Sequence, residues 1–173
     1  MKRKPIHIID RAFLKSPRQY IIQSLLAVVT VVLILTFIEV LTHAAIVAAL
    51  GSTVFIVFAM PNTIAAEPRR IIGGHVTGAA AGALFYFIFF TGPLAESFGT
   101  IGYLHWIPAA LAVGLSLFVM TVFNLEHPPA AGTALGIAVH EWSNMAIIFV
   151  LVFAISLAII KTLLKKHLKD LYT

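Results

Sequence analysis

The chain has 173 residues, 60% of them hydrophobic and 11% charged, with a mean hydropathy of +0.99. Soluble domains carry about 25% charged residues, so this composition excludes a soluble globular protein, and the length suits one domain. The formal charge of +5 does not signal nucleic-acid binding, because all twelve Lys and Arg fall in three short segments: six in residues 2–18, the pair Arg69 and Arg70, and four from Lys161 to Lys169. That is the positive-inside distribution. It places all three segments and both termini in the cytoplasm, at the inner or plasma membrane of a prokaryote. The absence of cysteine excludes disulfides, thiolate metal sites and cysteine nucleophiles.

In chain order, residues 1–19 mix basic and apolar side chains and suit an interfacial helix on anionic lipid or a solvated segment. Residues 20–164 form the transmembrane domain, and 165–173 a basic cytoplasmic tail. The apolar segments run over about Tyr20–Ile38, Ala44–Met60, Ile72–Phe90, Trp106–Asn124, Pro128–His140 and Met145–Leu164. The first is long enough to be a retained span and not a cleaved signal. Glu39 and His43 flank the first turn, Thr91–Tyr103 forms an outer loop without Lys or Arg, and Tyr103 and Trp106 suit an aromatic belt. The fifth segment, about thirteen residues, is short for a crossing. Five spans would put Lys161 to Lys169 outside, so six are preferred, with the fifth short or entered from a recessed break. The expected fold is all-α, a polytopic membrane helical bundle of about six transmembrane segments. His43–Gly51 faintly echoes His127–Gly136, each beside a glutamate, Glu39 or Glu126. Two inverted three-helix repeats would produce such an echo.

The most informative feature is Glu126-His127-Pro128-Pro129. It follows nineteen uncharged residues, Ile107–Leu125, and precedes ten more, Ala130–Val139. Ionisable groups at membrane depth are costly and face a bundle interior or an aqueous cavity, and irregular backbone there must be covered. The prolines can open a helix, which leaves the amides of Ala130, Ala131 and Gly132 at the positive end of its dipole, suited to an anion. His127 can donate a hydrogen bond or a proton, and Thr133 lies one turn on. The bland alternative is a capped surface turn.

A second constellation runs from Pro61 and Asn62 through Glu67-Pro68-Arg69-Arg70 to Gly74-His75. An arginine fork suits a planar oxyanion, and Glu67 can pair with it; a lipid-phosphate anchor explains the arginines equally well. His75 lies one turn inside the third span. Gly74, Gly78 and Gly82, and Gly132 with Gly136, are small-residue seams for close helix contact. Gly51-Ser52-Thr53 either packs or exposes Ser52 to a pathway. No metal-ligand spacing, phosphate-binding glycine loop or serine elbow appears, so neither an enzyme, a cofactor nor a metal site is expected.

These motifs resemble the HPP family of small integral membrane proteins, named for the sequence that stands here as His127-Pro128-Pro129. The family's Pro-x-Ser-x-x-Ala-Gln-Pro-Arg-Asn run leading to Gly-His is similar to Pro61 through Arg70 followed by Gly74-His75. Gly51-Ser52 matches a further Gly-Ala/Ser element. The resemblance covers about residues 20–160 and departs at Thr63 for Ser, Glu67 for Gln and Arg70 for Asn. Glu67 sets a negative charge beside Arg69. Plastid and cyanobacterial members are associated with nitrite transport, which implies nitrite or a similar small oxyanion as substrate.

The expected function is therefore a transporter or channel for a small monovalent anion, nitrite first. Candidate substrate contacts are His127, Pro128, Pro129, Ala130, Ala131, Gly132, Thr133, Arg69, His75, Asn62 and Ser52. Candidate proton-coupling groups are Glu126, Glu39, His43 and Glu67. The alternatives are a cation or neutral-solute conduit and a non-transporting structural or sensory module. The expected partners are the anion, the lipid bilayer and further copies of the chain in a homo-oligomer, with no nucleic acid.

Overall fold

The structure, a computed structural model, describes residues 15–19, 21–23, 25–26, 44–92, 94–95 and 106–171. Most of the expected first span, Glu39, His43, Tyr103 and most of the expected outer loop lie outside the described residues. Among the described residues the chain is all-helical, with no strand. From residue 44 on, five helices follow one another among the described residues: α1 (Ala44–Ala59), α2 (Pro68–Tyr86), α3 (Trp106–Val122), α4 (Pro129–Val139) and α5 (Asn144–Leu164). A 3-10 turn, Ile64–Ala66, joins α1 to α2, and α2 runs on as a π turn over Phe87–Thr91. Pro68–Thr91 (24 residues) and Asn144–Leu164 (21 residues) are each long and apolar enough to cross a bilayer, while α1, α3 and α4 are shorter.

Local chemistry sets the helix ends. Pro68 occupies the first turn of α2 and Pro129 that of α4, where a missing N–H removes no helical bond. Ser143 caps α5 by accepting from the Ala146 amide at 3.2 Å. α3 ends at Asn124, whose φ of 53° is left-handed, and the Leu125 amide reaches back to the Met120 carbonyl at 2.8 Å. That is a Schellman closure, with asparagine standing in for the usual glycine.

α4 packs against α2, α3 and α1, with its closest backbone approaches on the α2 and α1 sides. Both contacts depend on glycine. A Cβ on Gly78 would lie 2.3 Å from the Ala130 carbonyl oxygen, and one on Gly82 2.7 Å from that of Ala134. On the other side, a Cβ on Gly136 would lie 2.7 Å from Ile46 Cγ1. The glycine seams therefore bring backbones together, as their spacing indicates. A Cβ on Gly74 would lie 2.7 Å from that of His127, so the start of α4 is level with Gly74. Six residues separate Gly74 from Pro68, which sets the break about 9 Å above the start of α2. At the far end Trp142 packs on Tyr86 and Phe87, with ring centroids 5.4 and 4.4 Å apart.

α1, α3 and α5 end where α2 and α4 begin. There the chain is stitched together: Asp170 accepts from the Asn62 backbone amide at 3.0 Å and from its side chain at 3.2 Å. Buried Gln23 accepts from the Lys169 amide at 2.9 Å and donates to the Lys169 carbonyl at 2.8 Å. The Leu171 amide donates to the Ala59 carbonyl at 2.8 Å. The basic segment that follows α5 is thus docked against this end through residues 169–171, with Leu168 buried.

Candidate functional site

Four polar side chains from three helices and the break meet in the bundle interior. Thr53 of α1, His75 of α2, Thr133 of α4 and His127 just ahead of α4 each have no solvent exposure. His127 Nδ1 lies 2.8 Å from the Ala65 carbonyl oxygen. His127 Nε2 and His75 Nε2 each lie 3.0 Å from Thr53 Oγ1, and His75 Nδ1 lies 2.9 Å from Thr133 Oγ1. The imidazole centroids are 5.1 Å apart.

The partners determine the protons. A carbonyl only accepts, so His127 Nδ1 carries hydrogen. With a neutral ring, His127 Nε2 must then accept, and Thr53 supplies the donor. Thr53 has no second hydrogen, so His75 Nε2 donates to it and His75 Nδ1 accepts from Thr133. Among assignments that make all four ring bonds, only this one keeps both rings neutral, and it turns the Thr53 hydrogen toward His127 and away from the Ala49 carbonyl, which also lies 3.0 Å from Oγ1. It leaves no polar atom of the two imidazoles unpaired, which burial at this depth demands.

A charged shell lies nearer the bundle end. Arg70 pairs with Glu67 at 3.1 Å and with Glu126, so one guanidinium ties the two motif segments together. Arg69 turns away and donates from Nη2 to the Phe123 carbonyl at 2.9 Å, capping the negative end of α3. The Ala130 and Ala131 amides bond to the His127 and Pro128 carbonyls at 2.9 and 3.1 Å, so neither is open to an anion as the sequence suggested. Ser52 is exposed, and its hydroxyl donates to the Ala48 carbonyl at 2.9 Å. Ser52, Pro128, Pro129 and Gly132 line an open groove of about 550 Å³ between α1 and the break. The structure thus gathers His75, His127 and Thr133 in the interior and Ser52, Pro128, Pro129 and Gly132 along the groove. Asn62, Arg69, Glu67 and Glu126 stand toward the bundle end.

Sequence reasoning left out Thr53 as a contact, the Ala65 carbonyl, and Arg70 as the bridging cation. Thr53 continues the Ile46, Ala49, Leu50, Val57 face, which the structure buries and the sequence of an all-apolar helix does not single out. Among the described residues no group of three or more His, Cys, Asp and Glu is placed to hold a metal ion.

Apolar helices around a buried polar network with a recessed, proline-opened helix define a helical membrane protein. The transmembrane-region model of the HPP family matches residues 14–169, and the chain belongs to that family. A transmembrane protein of Dictyostelium discoideum is 29% identical over 119 residues, covering 66% of this chain. The chain matches 38% of that relative's length, well under half of it. No solved structure matches.

Proposed function

We propose that the chain is a transport protein for a small monovalent anion, with nitrite the first to test. The observation that carries this reading is the buried Thr53–His75–Thr133–His127 network, set at the start of a half-length helix. Polar groups at such depth mark solute and ion pathways by default, and short or broken helices meeting near mid-membrane are a transporter design. The groove beside Ser52 and Gly132 supplies an approach between α1 and α4. Family resemblance to nitrite-associated members adds the substrate class. In this reading there are six spans, the stitched end carrying the basic residues is cytoplasmic, and the copies associate as a homo-oligomer. α1 and α4, which carry the two echoing segments, would be equivalent members of inverted repeats.

Nitrite uptake into proteoliposomes, measured at several pH values, tests it. Uptake above that of empty vesicles is expected, and its absence throughout would remove the reading. The complete burial of the network favours one second reading, a structural module in which these side chains only fix helix packing. Undiminished flux in a folded His127→Asn variant would support that one.

A further inference from the structure

We propose that the Thr133–His75–Thr53–His127 chain is a storage site for a single proton, held as an imidazolium on His127 against the Ala65 carbonyl. In the neutral state every donor points the same way: Thr133 to His75, His75 to Thr53, Thr53 to His127, His127 to Ala65. Such a head-to-tail line moves a proton by short hops. A proton reaching Thr133 Oγ1 displaces that hydroxyl's own hydrogen to His75 Nδ1. His75 Nε2 releases its hydrogen to Thr53 Oγ1, and Thr53 passes its own to His127 Nε2. One proton has entered, His127 bears one positive charge, and His75 has exchanged tautomers.

The bonds among the two histidines and Thr53 remain satisfied at the same distances. His127 Nε2 now donates to Thr53, Thr53 to His75 Nε2, and His75 Nδ1 to Thr133. Thr53 also lies 3.0 Å from the Ala49 carbonyl, a second acceptor for its hydroxyl hydrogen; a charged His127 beside an unchanged His75 tautomer would mean the hydrogen goes there and would overturn the linked exchange. The line stops at Ala65, because a backbone carbonyl accepts a hydrogen bond but passes no proton on. The site therefore holds a proton and does not conduct one.

Burial opposes that charge, and no neighbouring carboxylate among the described residues fixes it. Among the described residues α1, α3 and α4 carry no ionisable side chain. The start of α2 brings Glu67, Arg69 and Arg70, the loop before α4 brings Glu126, and α5 brings buried Lys161. Both carboxylates are engaged by Arg70. With no carboxylate bonded to either ring, the imidazolium is held by hydrogen bonds alone and can be given up. Coupling of this proton to anion movement rests on the transport reading; its storage does not.

The test is 15N solid-state NMR of histidine-labelled protein in lipid bilayers across a pH series, with signals assigned through His75→Asn and His127→Asn. At high pH His127 should show a protonated Nδ1 and bare Nε2, and His75 the reverse. On acidification His127 should become doubly protonated while the His75 hydrogen moves to Nδ1. Thr53→Val should abolish the linked exchange and Thr53→Ser keep it. If Thr53→Val does not fold, Thr133→Val makes the same cut at the other end and should lose the His75 exchange. Opposite tautomers at high pH, a His127 that stays neutral until unfolding, or unchanged linkage in both valine variants would overturn the proposal. Nitrite flux is not read, so a failed store and a failed transport reading give separate results.

Discussion

Two sets of polar contacts join the 60–70 segment and α2 to the segment ahead of α4, and they differ in kind. The inner set uses neutral imidazoles and hydroxyls, four side chains without solvent exposure, together with the carbonyl of half-buried Ala65. The outer set uses full charges, with Arg70 between Glu67 and Glu126, whose side chains keep 52% and 36% of their exposure. The difference follows the solvent. An isolated charge at depth is expensive, so the interior is joined by hydrogen bonds that need none. Near the end, water and counter-ions reach the carboxylates, and an ion pair costs little to form and contributes little.

That contrast predicts unequal damage. The largest effect is expected from His127→Ala, which opens a void and leaves the Ala65 carbonyl without its imidazole donor, for a loss of about 3–5 kcal/mol. Thermal unfolding in detergent measures it. A loss no greater than that from Arg70→Ala would erase the distinction between the two sets. Gly78→Ala comes next, because its methyl meets the Ala130 backbone and must push α4 aside, for about 1–3 kcal/mol. Gly51→Ala is its control: nothing lies within 4 Å of the added carbon, and the helix should gain about 0.5–1 kcal/mol. The smallest loss is expected from Arg70→Ala, under about 1 kcal/mol. A Glu67→Gln, Arg70→Asn double variant restores the family-like pair and should unfold close to the parent. A double-mutant cycle reads the coupling between these two positions.

Much of the bundle was legible in the sequence. Apolar runs bounded by proline, asparagine and serine gave α1, α3, α4 and α5 to within a residue or two. α2 begins four residues before the expected Ile72, because Pro68 opens the helix and draws both arginines into its first turn. The glycine spacings gave the faces of α2 and α4 that meet. What stayed hidden was rotation and long-range pairing. Ser52 and Thr53 sit 100° apart on a helix that is apolar all round, so no periodicity says which one turns inward. The same 100° separates Arg69, which caps α3, from Arg70, which faces the break. His75 and His127 are 52 residues apart, and their meeting depends on how closely the glycine seam lets α2 approach α4. Short-range rules do not reach that far.

The Gln23–Lys169 and Ala59–Leu171 bonds have a consequence for how the molecule is assembled. Residues 169–171 leave the ribosome more than a hundred residues after Ala59, so the lower end of α1 waits through most of synthesis for the segment that seals it. Insertion of the helices and closure of that end are therefore separate events in time. A mutation or fusion that keeps residues 167–171 from docking should leave a protein that enters the bilayer but stays unlatched at that edge.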